Sequence, residues 1–588
     1  MPRDAHVTLT RDGRMVIKPA ANTSLRGLER ALRAAGISIT LDPVAGTALT
    51  DVSALETCRV ALTDWTLLPT SAVLAAAETV QSRRAWHSAA LAACRIAVSS
   101  PETARSWLVN YEPIGLLDAH QVTAVALASH PDVKGLCIFD EQGLGKTVEA
   151  LFAFDRLREQ GLVGRCLIFA PKNMVLEWVN DLRRFFGTKY RAAAVVGNEA
   201  EKRVLLDSPA DIFVTNFETA IQLEVRLRLL LQGEKERGLL IVDESFFVKN
   251  SEARRAQALR RLRTHAGRCL VLCGTPAPNS ALDLVEQFNI ADDGETFSQV
   301  DLSDLEAAHT KIATTVEARG VYIRRLKGAV LPELPLRTFN RVMLPMPRAQ
   351  QRLYDSVLSG LIEDIRVTGD KEFKRNLASF MARRSALLQI CSNPIAIDPT
   401  FNGEVPAKLA ALDSILPHLI GAKGEKVVLW SFFTASLNAL CERYACYNPV
   451  RIDGSVSAVS DRREAVRRFQ EDDTTMLFVG NPAAAGAGLT LHRARYAIYE
   501  SMSNQAAHYL QSLDRIHRRG QRRPVEYLIL LCDETIEPAE YDRLIEKETR
   551  AQKLLHDEVA PALSREAFLE DLLSSQRQHT GQGTAQHP

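Results

Sequence analysis

At 588 residues the chain is too long for one hydrophobic core and, at ordinary domain size, forms about three or four domains. Hydrophobic residues make up 46% and charged residues 24%, which excludes a disordered or fibrous chain. A formal net charge of +1 excludes a uniformly basic molecule, so any hold on a polyanion must come from local patches. The ten cysteines are scattered, and the close pairs Cys269/Cys273 and Cys441/Cys446 lack zinc-site spacing, which predicts a reducing compartment and no structural metal. The polar start and the absence of any membrane-length apolar stretch predict a cytoplasmic protein without a membrane partner.

In residues 1–113, alternation over 6–9 and 14–17 predicts a small sheet, and three-and-four spacing over 25–35 and 71–98 predicts helices. This reads as an accessory domain without nameable chemistry. From 114 to 297, strands and helices alternate, which predicts an α/β fold: a parallel sheet with helices on both faces. Within residues 116–121 (LLDAHQ), Gln121 carries the donor and acceptor that reading an adenine edge requires. The same residue serves equally as a solvated helix glutamine. Next, the buried run 135–139 (GLCIF) passes into FDEQGLGKTVEA at 139–150, the pattern of a phosphate-binding loop. Its glycines let backbone N–H groups approach an anion, the following helix turns its positive end to the same point, and Lys146 reaches the outer phosphates. Thr147 is placed to hold magnesium. Asp140 stands where the common G-x-x-x-x-G-K-[ST] pattern has its first glycine. The candidate ATP-binding residues here are Asp140, Glu141, Gln142, Gly143, Leu144, Gly145, Lys146 and Thr147.

Further along, 165–170 (RCLIFA) predicts a strand, and 171–186 predicts a helix with proline first, where a missing N–H costs little. The strand in 211–220 ends at Thr215 and Asn216, on the side where parallel sheets place ligand contacts. In 239–250 (LLIVDESFFVKN), a buried strand delivers two carboxylates: Asp243 for the magnesium shell and Glu244 to orient or deprotonate a water. An acidic pair at a strand end is often a simple cap, but a phosphate loop upstream favours the catalytic reading. In 269–279 (CLVLCGTPAPN), Thr275 is a candidate relay beside that pair.

Residues 298–422 read as a helical insertion and linker, with basic groups at 371–375 and at Arg383/Arg384 that suit either phosphate contact or solvation. Strand and helix alternate again over 423–549, without a second phosphate loop, so this half should contribute across a cleft. Gly486 and Gly488 lie in a small-residue loop, AAAGAGLTL at 483–491, that allows close backbone approach. In QSLDRIHRRGQ at 511–521, Arg515 and Arg518 are three apart, which predicts one helix face. Arginines reaching an outer phosphate from another domain are worth roughly a thousandfold or more in rate; surface salt bridges are the alternative. Residues 550–588 read as a C-terminal helix and a polar, disordered tail.

Together these stretches resemble the Swi/Snf-type ATPases of the second helicase superfamily, small prokaryotic members included. The resemblance runs from about residue 114 to 546 and rests on DEQGLGKT, the APK and tryptophan of 168–178, VTNFET, DES with VKN, CGTPAPN, RRLKGAVLPELP at 324–335, ICSNP at 390–394, RIDGS at 451–455, DRIHRRGQ and TIE at 535–537. It implies two RecA-like lobes closing on ATP with magnesium, Gln121 at adenine, Arg515 and Arg518 supplied by the second lobe, and tracking along double-stranded DNA. Lys172, Trp178, Thr215, Asn216 and Thr275 are the DNA-contact candidates. Phe246, Ala485, Thr490 and Asn504 depart from the family pattern but spare the phosphate-contacting positions. The expected activity is a DNA-dependent ATPase that translocates on duplex and displaces or remodels what is bound. A strand-separating helicase and an ATP-switched binding module are the alternatives. Cargo recognition falls to the first hundred or so residues, the helical insertions or a separate protein partner, and the alanine- and arginine-rich usage points to a prokaryotic or phage source.

Overall fold

Short apolar runs become buried parallel strands when helices cover both faces of a sheet, because neither set of alternate side chains then meets water. In the computed structural model the first such sheet has seven strands. Their order is Tyr322–Ile323, Gly135–Ile138, Arg268–Leu272, Gly238–Val242, Arg165–Phe169, Ile212–Thr215 and Ala192–Val195. Every neighbouring pair is parallel. Alternate residues enter two separate cores: Ile138, Ile168 and Ile241 on one face, Phe139, Leu167 and Leu240 on the other. Each such burial stabilises the lobe by about 1.5–3 kcal/mol. A charged residue in place of Leu240, fully buried at the middle of the sheet, would break this packing. The structure describes residues 3–573 except 11–12, 21–22, 233–237, 278–280, 299, 303–304, 403, 457–458, 486–488, 503–505, 554–564, 567 and 571. The tail expected to be disordered, from Ser574, lies outside the described residues.

The second sheet has six strands, in the order Arg337–Leu344, Val525–Cys532, Tyr496–Tyr499, Val427–Trp430, Leu477–Gly480 and Val450–Ile452, again all parallel. The two sheets, each clad in helices, are two RecA-like lobes. Their edges correct the expected boundaries. Tyr322–Ile323 completes the first sheet and Arg337–Leu344 opens the second, although both fall inside the stretch 298–422 assigned to insertion and linker. An edge strand is paired on one side only, so its pattern is less uniformly apolar; Arg337–Leu344 alternates between half-buried and exposed along most of its length.

Residues before the first lobe form a five-stranded mixed sheet, in the order Thr40–Asp42, Thr47–Asp51, Arg14–Pro19, Arg3–Leu9 and Trp65–Pro69. The helix Ser71–Ser99 carries this unit onto the first lobe. There Arg83 pairs with Asp293 at 2.9 Å and Glu295 at 2.6 Å. After the first strand of the second lobe, helices Arg348–Val367 and Asp370–Ser392 make a hairpin whose core takes in Cys532 and Ile536 of that lobe and Phe568 and Leu572 from beyond it. Arg383 pairs with Asp364 and Arg384 with Glu540. Among the described residues no helix is long and apolar enough to cross a membrane.

Candidate functional site

The loop between strand Gly135–Ile138 and helix Lys146–Glu159 turns through Gly143 and Gly145, whose φ angles are +85° and +93°. A side chain at Gly145 would also put its Cβ 2.3 Å from Gln121 Nε2. Lys146 is buried, and its Nζ donates to the Asp140 carbonyl at 2.8 Å. Thr147 is half-buried in the first turn of the helix. Gln121 does reach the loop, but its amide is spent on backbone. Its Nε2 donates to the Leu144 carbonyl at 3.0 Å and its Oε1 accepts from the Asp118 N–H at 3.0 Å. In this arrangement Gln121 braces the loop, and reading an adenine requires its amide to leave Leu144. The Asp140 carboxylate is enclosed as well. It pairs with Arg325, which also binds Glu149 at 2.9 Å. Only the backbone of Asp140 therefore faces Lys146. Burial, then Asp140, pushes the Glu149 carboxyl well above the usual range, against the pull of Arg325.

Strand Gly238–Val242 delivers the acidic pair. Asp243 Oδ2 accepts from the Trp178 indole N–H at 2.8 Å, and its Oδ1 accepts from the Glu244 N–H at 2.9 Å. Burial, with the neighbouring Glu244, pushes the Asp243 carboxyl up to about 7. Glu244 sits at φ +48°, a left-handed conformation that costs a non-glycine residue on the order of 1–3 kcal/mol and aims its side chain at the loop. Its Oε1 accepts from Gln142 Nε2 at 2.9 Å. Its Oε2 is buried without a hydrogen-bond partner among the described residues. Thr147 and Asp243 offer only oxygen donors, and the buried unpartnered oxygen of Glu244 next to Asp243 leaves negative charge unmet, which fits a magnesium ion.

Arg515 and Arg518 come from the second lobe by a route the spacing did not predict. Helix Ala506–Leu513 ends before them, and both lie in the turns that follow. They converge because both donate to the Leu489 carbonyl, at 3.2 Å and 3.1 Å. Arg515 Nε also donates to the Gln511 carbonyl at 2.6 Å. Burial, then Arg518, lowers the Arg515 guanidinium to about 10, and Glu244 of the first lobe opposes this. Burial lowers Arg518 too, against Asp514 and against Asp181 of the first lobe. Each arginine thus stands in the field of a carboxylate across the cleft. Gly486 and Gly488, expected near them, lie outside the described residues.

A family model described as the SNF2-related domain matches residues 97–396. The chain belongs to the SNF2-related family. A second model, the helicase conserved C-terminal domain, matches residues 407–520. Among SNF2-related relatives, the "Probable chromatin-remodeling complex ATPase chain" of Oryza sativa subsp. japonica is 27% identical over 435 residues, covering 69% of this chain and 38% of the relative. The human "Lymphoid-specific helicase" is 26% identical over 512 residues, covering 71% and 60%. The chain therefore spans only about two-fifths to three-fifths of the length of these curated relatives. A solved structure, "Sulfolobus solfataricus SWI2/SNF2 ATPase core in complex with dsDNA", aligns over 80% of this chain and 97% of its own at 19% identity and a TM-score of 0.36, a likeness too distant to bear on the site.

The five DNA-contact positions that the SNF2-related resemblance offered do not share one surface. Lys172 is exposed. Trp178 is 1% exposed and spends its only donor on Asp243, so it positions the acid pair rather than meeting DNA. Thr215 is fully buried, its hydroxyl donating to the Val195 carbonyl at 3.0 Å. Asn216 caps helix Phe217–Gln222 by accepting from the Thr219 N–H at 3.1 Å. Thr275 is buried in the cleft with no partner for its hydroxyl among the described residues. Trp178, Thr215 and Asn216 are thus buried, each with its side chain hydrogen-bonded inside the first lobe. Conversely, the structure brings to the phosphate loop a run that the sequence placed only as the approach to the linker. Arg324 donates to the Phe139 carbonyl at 2.9 Å, Arg325 holds Asp140, and the Lys327 N–H donates to the Glu141 carboxylate at 2.7 Å. The signal was present in the sequence as the basic RRLK.

Proposed function

We propose that this chain is a DNA-dependent ATPase that hydrolyses ATP to translocate on double-stranded DNA and to displace or remodel what is bound to it. The observation that carries this is the cleft itself: Lys146, Asp243 and Glu244 on one lobe, with Arg515 and Arg518 on the other in the field of Glu244 and Asp181. In this reading Lys146 and the loop amides bind the phosphates, and Glu244, held by Gln142, orients or deprotonates the attacking water. Arg515 and Arg518 leave the Leu489 carbonyl to stabilise charge that develops on the outer phosphate. Thr147 and Asp243 would hold magnesium, which offsets phosphate charge when bound. Duplex as substrate is supported by family membership, by the likeness to ATPases of chromatin-remodeling complexes, and by exposed Lys172, Lys371 and Lys374. The ten cysteines, all free, support a cytoplasmic setting.

The test is steady-state ATP hydrolysis with and without linear duplex, together with nucleotide binding. Duplex should stimulate turnover; Lys146→Ala should weaken ATP binding, and Glu244→Gln should bind ATP normally and not turn over. Hydrolysis indifferent to duplex would favour the ATP-switched binding module instead.

A further inference from the structure

The linker between the two sheets does more than span them. Lys327, at the start of the short helix Lys327–Val330, belongs to neither sheet but touches both lobes. Toward the first lobe, its N–H donates to Glu141 of the phosphate loop at 2.7 Å, and its stem lies so close over Gly143 that a Cβ there would sit 3.2 Å from Lys327 Cε and 3.3 Å from Nζ. Toward the second lobe, its ammonium pairs with Asp514, and the two side chains are 6% and 8% exposed. Asp514 immediately precedes Arg515. Three residues past Asp514, His517 Nε2 contacts the carbonyl of linker residue Pro335 at 2.8 Å. A buried pair with one member resting on the phosphate loop and the other adjoining an arginine of the opposite lobe has two mechanical ends. Lys327 is thus in contact with Glu141 and Gly143 at one end and with Asp514 at the other.

We propose that Lys327 is a positioning residue that couples the phosphate loop to the second lobe's arginines through its buried pair with Asp514. It touches neither the reacting phosphate nor the water. It holds the turn bearing Arg515 and Arg518 opposite Lys146 while its own backbone and stem are held by Glu141 and Gly143. The inference rests on the ATPase reading. It also predicts something that does not: the pair keeps the lobes together without nucleotide.

The test is a double-mutant cycle on the full chain with Lys327→Met, which keeps the stem and removes the charge, Asp514→Asn, and both together. Each single change should lower kcat about a hundredfold by misplacing the arginines and leave KM for ATP within about threefold, since uniform substrate binding is untouched. The double variant should lose no more than the worse single, a coupling of about a hundredfold. The charge swap Lys327→Asp with Asp514→Lys should recover part of kcat. Without nucleotide, the distance between fluorophores on the two lobes should lengthen in both single variants. Additive losses, or a loss confined to KM, would overturn the proposal. If the wild type proves inactive, the function reading fails separately, and the lobe distances decide: unchanged distances in both variants reject the coupling. Should Lys327→Met fold poorly, Asp514→Asn carries the same two readouts.

Discussion

Trp178 and Asp243 are joined by one hydrogen bond, and that bond decides what each residue does. A hydrogen bond to a charged group contributes about 1.5–3 kcal/mol, and removing its donor leaves a buried carboxylate less satisfied. Trp178→Phe should therefore lower both the melting temperature at pH 8 and the turnover, with duplex affinity unchanged; weaker duplex binding at normal turnover would restore the tryptophan as a DNA contact. The same carboxyl sets a pH dependence. Its folded value of about 7 lies above the ordinary 3.8, so the folded chain holds the extra proton. The linked stability is complete below the ordinary value and is lost as pH rises through about 7, which amounts to roughly 1.4 kcal/mol between pH 6 and 8. Melting curves over that range should slope downward for the wild type and lie flatter for Asp243→Asn. Parallel slopes would assign the titration to another group.

The turns after helix Ala506–Leu513 illustrate a different level of organisation. The two arginines are aligned by a shared acceptor, the Leu489 carbonyl, and by burial. Because that acceptor is a neutral carbonyl, neither guanidinium is locked in a direct ion pair there, so both can turn to an anion entering the cleft. Arg515→Ala and Arg518→Ala should each reduce turnover by about three to five decades, with modest change in ATP affinity. Near-normal turnover in both would leave them a purely structural role on the Leu489 loop. The linker is the second element of this kind: three residues, Arg324, Arg325 and Lys327, hydrogen-bond to the phosphate loop and the strand end before it, so the loop's shape depends on a segment far away in sequence.

At the scale of the molecule, the proposed translocation requires two lobes joined by such a linker to open and close with each ATP and to shift their grip along one strand while the duplex stays paired. Strand separation needs a wedge at the fork, and between the second-lobe strands the described residues form helices and turns with no inserted hairpin. The chain should therefore displace the third strand of a triplex without unwinding a forked duplex. Its grip should be nonspecific and weaken steeply with salt, since phosphate contacts carry charge but little sequence information. Fork unwinding without triplex displacement would promote the strand-separating alternative.

The sequence by itself determined the alternation of buried strands and helices, the glycine-rich loop before Lys146, the carboxylates at the end of their strand and the order of the family motifs. Each of these is a local pattern, set by side-chain periodicity, by backbone freedom at glycine or by spacing within a dozen residues. Local patterns could not show where a side chain spends its hydrogen bonds. Trp178, Thr215 and Asn216 look like surface positions at strand and helix ends, and only packing turned them inward, toward Asp243, Val195 and Thr219. Nor could they place an edge strand such as Arg337–Leu344, half of whose pattern is polar because one side is unpaired. The pairings of Arg325 with Asp140 and of Lys327 with Asp514 join residues 185 and 187 apart in the chain. The first follows from strand Tyr322–Ile323 pairing beside Gly135–Ile138 within the first lobe, the second from the linker meeting the second lobe, and the tertiary structure alone decided both.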